Sequence, residues 1–463
     1  MQGETLNLTS LTVGESGELY FTVDPEAGTV GDYVVSGAAS FADGATISLH
    51  LDSLVDDDGQ TVRLVTAGSL SYGDVQGTDL TGNSPYMIVS TLSADEAAGT
   101  IDVNLRKRTT TEMELSGVET AAYDAFYTAL SLDEDVMDAF LNQATREDFM
   151  NLYEQTLPDH SGGTLVSLAS GVEAVTQALA NRNSTAAVGE VSGWVQEINF
   201  YEDKDKTDTY GYRSEGFGVA GGVEKMTQAG AVGVSVALAS SDIEDPESEA
   251  EEELSSNLLE LGLYWRAQGH GWSGWARGAV GYAMFNSTRT LVGDDIYLST
   301  DADWDGYTLS AAGGVSYEHR FGRLSLRPEA YAEYFSLSEG SRRESGGGDA
   351  FDLEVDDRDG HIASATAAVK IGYAFGRDQM YRPELKLGWK EILSADYGET
   401  TARYISGGDS FTLTGEPISG GGPVFGLGMT LANGLSSLSI SGDAQLLEDY
   451  VRYSFLLRAT FLF

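Results

Sequence analysis

The fold class that this 463-residue sequence predicts is all-β with a small helical part: twelve antiparallel strands closed into a transmembrane barrel, preceded by a short helical stretch and an upstream β region. Three observations lead there. From residue 190 to the last residue, apolar and polar side chains alternate with period 2. The connections between these runs are by turns short and long, as in a barrel with tight turns at one end and loops at the other. The apolar rows end in Trp or Tyr, which suits a lipid-facing band between aromatic girdles.

Composition sets the outer limits. With 56 glycines and 8 prolines, the chain suits close-packed strands and tight turns better than disorder. The absence of cysteine excludes disulfides and thiolate metal sites. The five histidines (His50, His160, His270, His319, His361) never fall at ligand spacing, so no metal and no cofactor is expected. A net charge of −45 argues against nucleic acid as a partner. No stretch has the length of apolar residues that a membrane helix needs. The start, Met1-Gln2-Gly3-Glu4, is polar and is no signal peptide, so Met1 is expected to be the edge of a longer precursor.

Taken in chain order, residues 1 to 109 read as β. Alternating runs at Thr5–Val13, Gly17–Asp24, Asp32–Phe41, Thr46–Leu54, Gln60–Ala67, Tyr86–Leu92 and Thr100–Leu105 are separated by Gly and Asp turns. Their irregular spacing fits the end of a β-solenoid, with a small sandwich as the other possibility. Residues 110–160 change to helical spacing: Val118, Ala121, Ala122, Ala125, Phe126, Ala129 and Leu130 share a face. Ser131 with Glu134, and Thr145 with Asp148, have the spacing of N-terminal caps. Within 161–189 a further helix runs to about residue 183. Leu165, Leu168, Val172, Val175 and Leu179 make its apolar stripe, and Ser167, Ser170, Gly171, Thr176 and Gln177 make a small polar face narrow enough for a tight pore.

The barrel occupies 190–463. Its runs are expected near 190–200, 214–226, 229–240, 256–268, 271–284, 305–319, 323–337, 360–375, 381–394, 421–432, 435–447 and 451–463, with long loops at 201–213, 241–255, 285–304, 338–359 and 395–420. The run from residue 381 shows why lipid is the outer solvent. Tyr381, Pro383, Leu385, Leu387 and Trp389 alternate with Arg382, Glu384, Lys386 and Lys390, so one face is wholly apolar and the other carries both signs of charge. Such a mixed face can pair across a lumen. Arg327, Glu329, Glu333, Lys370, Arg382, Glu384, Lys386, Arg452 and Arg458 are therefore expected to face inward. Trp194, Trp265, Trp272, Tyr334, Tyr381 and Trp389 are the girdle candidates. Backbone groups in hydrocarbon need protein partners, which requires closure, and twelve strands leave a bore of intermediate width, roomy enough for one helix.

Enzyme motifs are missing. There is no Walker-type Gly-Lys-Ser/Thr and no Gly-x-Ser-x-Gly elbow, so the chain is not expected to be an enzyme. Asp56-Asp57-Asp58 and Asp356-Asp357 read as solvated turns. The eight acidic residues of Asp242–Glu253 read as an exposed loop, where divalent cations could bridge to lipopolysaccharide phosphates.

Four features together resemble the autotransporter family of type V secretion. The barrel ends the chain, with Tyr453, Phe455, Phe461 and Phe463 resembling an outer-membrane assembly signal. A single helix lies directly upstream of the first strand. Thr401-Ala402-Arg403-Tyr404 with Ser410-Phe411-Thr412-Leu413 and Pro417 resembles the long loop between the ninth and tenth strands. Gly31-Asp32-Tyr33-Val34-Val35-Ser36-Gly37-Ala38-Ala39 resembles the last passenger region of pertactin-like members. The resemblance implies that 1–109 is the C-terminal part of a passenger, that 161–189 is a lumenal linker helix, and that the barrel anchors in the bacterial outer membrane and exports its own N-terminal passenger to the cell surface. It implies as partners outer-membrane lipid and lipopolysaccharide, the barrel-assembly machinery and periplasmic chaperones, with the protein itself a monomer. Self-cleaving members cut between two adjacent asparagines. Here Asn181-Arg182-Asn183 interrupts that pair, and the expectation is an attached passenger. The alternative is a non-secretory porin or adhesin-type barrel, which has no need of the 189 residues before the first strand.

Overall fold

A computed structural model describes residues 5–73, 80, 82–180, 187–207, 209–246, 253–433 and 436–462. Among them, twelve long strands form one closed antiparallel sheet: Val191–Lys204, Tyr212–Thr227, Gly230–Glu244, Glu253–Gly269, Trp272–Val292, Tyr297–Tyr317, Leu324–Glu339, Arg358–Tyr373, Tyr381–Asp396, Gly421–Ala432, Ser436–Leu447 and Tyr450–Leu462. Each pairs with its neighbours in sequence. The first strand also pairs with the twelfth, from Ser192 opposite Leu462 to Lys204 opposite Tyr450, so no edge is left unpaired.

Inside and outside follow strand parity. On the fourth strand Leu259, Leu261, Leu263 and Trp265 are exposed, while Leu258, Glu260, Tyr264 and Arg266 between them are buried. The paired rings Trp272/Tyr317 and Tyr282/Tyr307 mark the two margins of the apolar band. The ten residue steps from Trp272 to Tyr282, at roughly 3.4 Å each and a tilt of about 40°, span about 26 Å, the height of a lipid-facing band.

The long connections differ from their sequence reading. The 285–304 stretch is no loop: the fifth and sixth strands stay paired as far as Val292 and Tyr297 and carry a hairpin well past the upper ring. The 338–359 and 395–420 stretches hold a small four-stranded sheet of Arg342–Arg343, Leu353–Val355, Glu399–Tyr404 and Phe411–Thr414. Beyond the girdle there is no lipid on one face, so the apolar alternation that marks the wall fades although pairing continues.

Upstream, the β region is built of stacked coils. Leu6–Leu8 pairs parallel with Tyr33–Phe41, which pairs parallel with Gln60–Tyr72, and Glu18–Asp24 pairs parallel with Thr46–Leu51. Antiparallel strands Ile88–Asp95 and Thr100–Lys107 finish the stack. Three helices follow: α1 (Gly117–Leu130), α2 (Glu134–Leu141) and α3 (Arg146–Glu154). The capping box of α1 is Ser116 with Glu119, and Asp133 caps α2. Ser131, read as the cap of α2, instead closes the C-terminus of α1, because Asp133 lies nearer the first turn of α2 and offers a carboxylate to two of its free N–H groups. Thr145 caps α3. One apolar core runs from the coils through these helices into the barrel's loops, taking in Leu51, Phe126, Phe140, Tyr153, Leu291, Phe351 and Leu413.

Candidate functional site

The site is the bore of the barrel and the helix within it. That helix, α4 (Gly163–Ala180), starts after a left-handed Gly162, with the Ser161 hydroxyl accepting from the Gly163 N–H at 3.2 Å. It enters at the loop end, where Gly163 lies against Tyr212 and Ile243, and descends to the short-turn end, where the Ala178 carbonyl accepts from Arg458 at 3.2 Å. All of the expected stripe is buried. Leu165, Leu168 and Val172 pack with Leu254, Leu258, Phe285 and Phe335 in the upper bore. Val175 and Leu179 pack with Trp194, Ile198, Phe200 and Tyr264 below.

Small residues let the helix lie against the wall. A Cβ on Gly171 would sit 3.2 Å from that of Ala239, a contact a larger residue could not keep. The Ser167 hydroxyl meets Ser214 at 2.8 Å and Ser241 at 2.7 Å, and Ser241 meets Ser256 at 2.7 Å. Thr164 donates to Glu339 at 2.7 Å, and Arg358 donates to the same carboxylate at 3.0 Å.

The one charge on α4, Glu173, was not singled out by its sequence pattern. Lys390 donates to its Oε2 at 2.7 Å and Gln445 to its Oε1 at 2.7 Å, with Arg452 Nη1 at 3.3 Å. Arg452 also reaches the Ser170 carbonyl at 3.1 Å and lies 3.7 Å from Glu202, which takes hydrogen bonds from Ser170 and Tyr450. Two walls of the barrel, the ninth strand and the last two, thus hold one helix carboxylate. The available signal was a lone acid on an otherwise uncharged helix, facing a bore rich in Lys and Arg.

The nine inward charges of the sequence reading sit on the lumenal side of their strands. Lys370 pairs with Glu329 at 2.9 Å, and Arg327 with Glu384 at 3.5 Å. Lys386 lies 3.7 Å from Asp443, and Glu333 is half-buried nearby. Arg327, Arg382 and Arg458 line a vestibule of about 540 Å³ at the short-turn end. Three further buried pairs, Glu224 with Arg266, Glu260 with Arg277 and Glu339 with Arg358, cross between strands whose partners the sequence did not connect.

Of the girdle candidates, Trp265, Trp272, Tyr334, Tyr381 and Trp389 face outward. Trp194 does not: it is 4% exposed and points into the bore, its Nε1 donating to the Tyr264 hydroxyl at 3.1 Å. The reason is parity. Trp194 shares a face with the inward Gln196, Ile198 and Phe200, and its ring lies over Gly222, where a Cβ would be 2.5 Å from Nε1. Tyr453, Phe455 and Phe461 face outward on the last strand, whereas Phe463 and the Asn181-Arg182-Asn183 sequence lie outside the described residues.

The family model of the autotransporter beta-domain matches residues 193–445, more than half of the chain. The chain belongs to the autotransporter β-domain family. An autotransporter β-domain is an outer-membrane translocator that exports a passenger and is not itself an enzyme, and the barrel described above is that translocator. No curated protein matches the chain. Solved structures similar to it include the translocator domain of autotransporter NalP from Neisseria meningitidis, at 15% identity and a TM-score of 0.48, covering 65% of this chain and 99% of that one. The transport unit of the autotransporter AIDA-I from Escherichia coli, at 15% identity and a TM-score of 0.42, covers 64% and 98%. The β-domain of the Bordetella autotransporter BrkA, at 12% and 0.42, covers 58% and 98%.

Proposed function

We propose that this autotransporter rests in its exported state, with residues 5–157 on the cell surface, α4 as a plug in the bore, and the passenger retained on its barrel. One observation carries the reading: α4 descends from the loop end to the short-turn end, so the chain before it emerges among the loops. In outer-membrane barrels the loop end faces outward. The lumenal network on Glu173 and Arg452 supports retention, since withdrawing α4 would strip buried ionic partners of one another.

Partners follow from the same surfaces. The outward Tyr453, Phe455 and Phe461 of the last strand suit recognition by the barrel-assembly machinery, after escort by periplasmic chaperones, and the upper aromatic ring suits contact with lipopolysaccharide. The closed wall has no unpaired strand to offer a second copy, which favours a monomer.

The chain has no cysteine, which gives a clean test. Tyr20→Cys places a thiol on the exposed coil surface, and Asp378→Cys places one on a short turn. In intact cells a membrane-impermeant maleimide should label the first and spare the second. Labelling of the turn alone would reverse the orientation and end the proposal.

A further inference from the structure

We propose a lipid-binding site on the outer face of the first strand, which selects a lipid bearing hydrogen-bond donors on its acyl chains, the chemistry of lipopolysaccharide. The inference deepens the lipopolysaccharide contact given above and rests on the loop end facing outward.

The first strand breaks the rule of the wall. Its outward row holds Val195, Glu197, Asn199, Tyr201 and Asp203, alternating with the inward Gln196, Ile198, Phe200 and Glu202. Tyr201 marks the upper margin here, its ring 6.2 Å from that of Tyr453 on the twelfth strand. Glu197 lies four residue steps below Tyr201, which at roughly 3.4 Å each and a tilt of about 40° is about 10 Å into the apolar band. The flanking rows are apolar at that depth. Glu197 stands between Val219 of the second strand and Leu457 of the twelfth, and Asn199 between Phe217 and Phe455.

The polar groups form a path that descends from the margin. At its top Arg213 lies 3.6 Å from Asp203, and the Tyr201 hydroxyl donates to Asp203 Oδ2 at 2.8 Å. Below, the Asn199 amide donates to Glu197 Oε1 at 3.2 Å. The Tyr201 and Asn199 donors are thus turned along the strand, and the second carboxylate oxygen of Glu197 and the Asn199 Oδ1 are left as acceptors. Among the described residues, no cation and no further donor reaches Glu197. A carboxylate in hydrocarbon without donors is costly, and a charge kept on a lipid-facing wall at that cost marks a site.

The occupant follows from the pattern. Phospholipid chains are joined by esters, which only accept, so they leave Glu197 and Asn199 unmatched. Lipopolysaccharide carries amide N–H and hydroxyl groups on its chains just below its sugars, and these donate. Its leaflet is the one that the loop end faces. A polar path that is continuous from the margin down to Glu197 suits a lipid seated with its sugars uppermost, whereas a partner strand would need only the deep pair. Phe217, Val219, Phe455 and Leu457 border the path with apolar surface for the chains.

The test uses the full chain folded into phosphatidylcholine nanodiscs, with binding of added lipopolysaccharide read by native mass spectrometry. Glu197→Leu with Asn199→Leu should weaken that binding at least roughly tenfold, as expected for lost hydrogen bonds to a charged group. Glu197→Gln, which keeps an acceptor oxygen, should fall between. In phosphatidylcholine alone the double variant should unfold at higher urea than wild type, because a polar group has left hydrocarbon. Phosphatidic acid, which has a phosphate and no donor on its chains, should not compete. Equal lipopolysaccharide affinity in wild type and double variant, competition by phosphatidic acid, or a urea midpoint no higher than wild type would each overturn the site. A disulfide between two Val195→Cys barrels in liposomes would also overturn it, by giving the face to a second copy. Failure of the surface reading would show in the maleimide labelling and not here, because a nanodisc exposes both leaflets to added lipid.

Discussion

The wall of the barrel and the cap on its loop end are built on opposite terms. In the wall, two immiscible surroundings enforce strict parity: Leu261 and Leu263 face out, while Glu260 and Arg266 face in. In the cap, Phe126, Phe351 and Leu413 enter one core from segments far apart in the chain, and no period records it. The wall is held by pairing and solvent contrast, the cap by packing among distant parts. Substitutions should therefore act through charge in the wall and through docking in the cap.

The largest effect is expected from Arg452→Ala. It leaves Glu173 and Glu202 buried without their shared cation, a loss of about 3–5 kcal/mol for a broken buried pair. Urea titration of the detergent-folded barrel should show it, and an unchanged midpoint would remove the ionic clamp from the account. Next is Leu261→Arg, on the outer face and well inside the apolar band. A cation there should cost about 2–4 kcal/mol of insertion into lipid. The same substitution at Leu413, in the cap, should leave insertion intact. If both variants insert equally well, the contrast between the two regions fails.

The smallest effect sharpens the boundary between them. Burial pushes the His160 imidazole below its ordinary pKa of 6.5, its Nδ1 donating to the Pro158 carbonyl and its ring lying 4.5 Å from Tyr210. For its neighbour Asp159, burial raises the carboxyl, but Arg358 and the Ser161 hydroxyl outweigh it, and the net shift is downward. Both folded values are depressed, so both groups contribute fully at neutral pH. As pH falls below about 6.5 the undocked His160 takes up a proton that the docked one resists, and docking weakens. Asp159 adds a further loss only once pH drops through the acid range below 3.8. Protease sensitivity of the cap should rise from pH 7 to pH 5, and His160→Phe should flatten that rise.

What the sequence disclosed follows the same division. Strand number, parity and most outward aromatics were legible because lipid writes period 2 into the chain. Trp194 was misplaced by reading residue type ahead of parity: its neighbours Gln196 and Ile198 already named its side. Glu173 escaped because its partners, Lys390, Gln445 and Arg452, are met only when the sheet closes around the helix. The extended hairpin beyond Tyr282 and the loop sheet escaped because their faces meet protein and water, which leave no simple alternation.

The register of the first strand against the twelfth has a consequence for biogenesis. Val191 and Leu462 stand at the two ends of the barrel's sequence, so the cylinder cannot be finished while the ribosome still holds its last residues. A nonsense codon near Tyr450 would not yield a slightly shorter pore. It would yield an open sheet with two raw margins, unable to survive in hydrocarbon unless another protein's strand were lent to cover them.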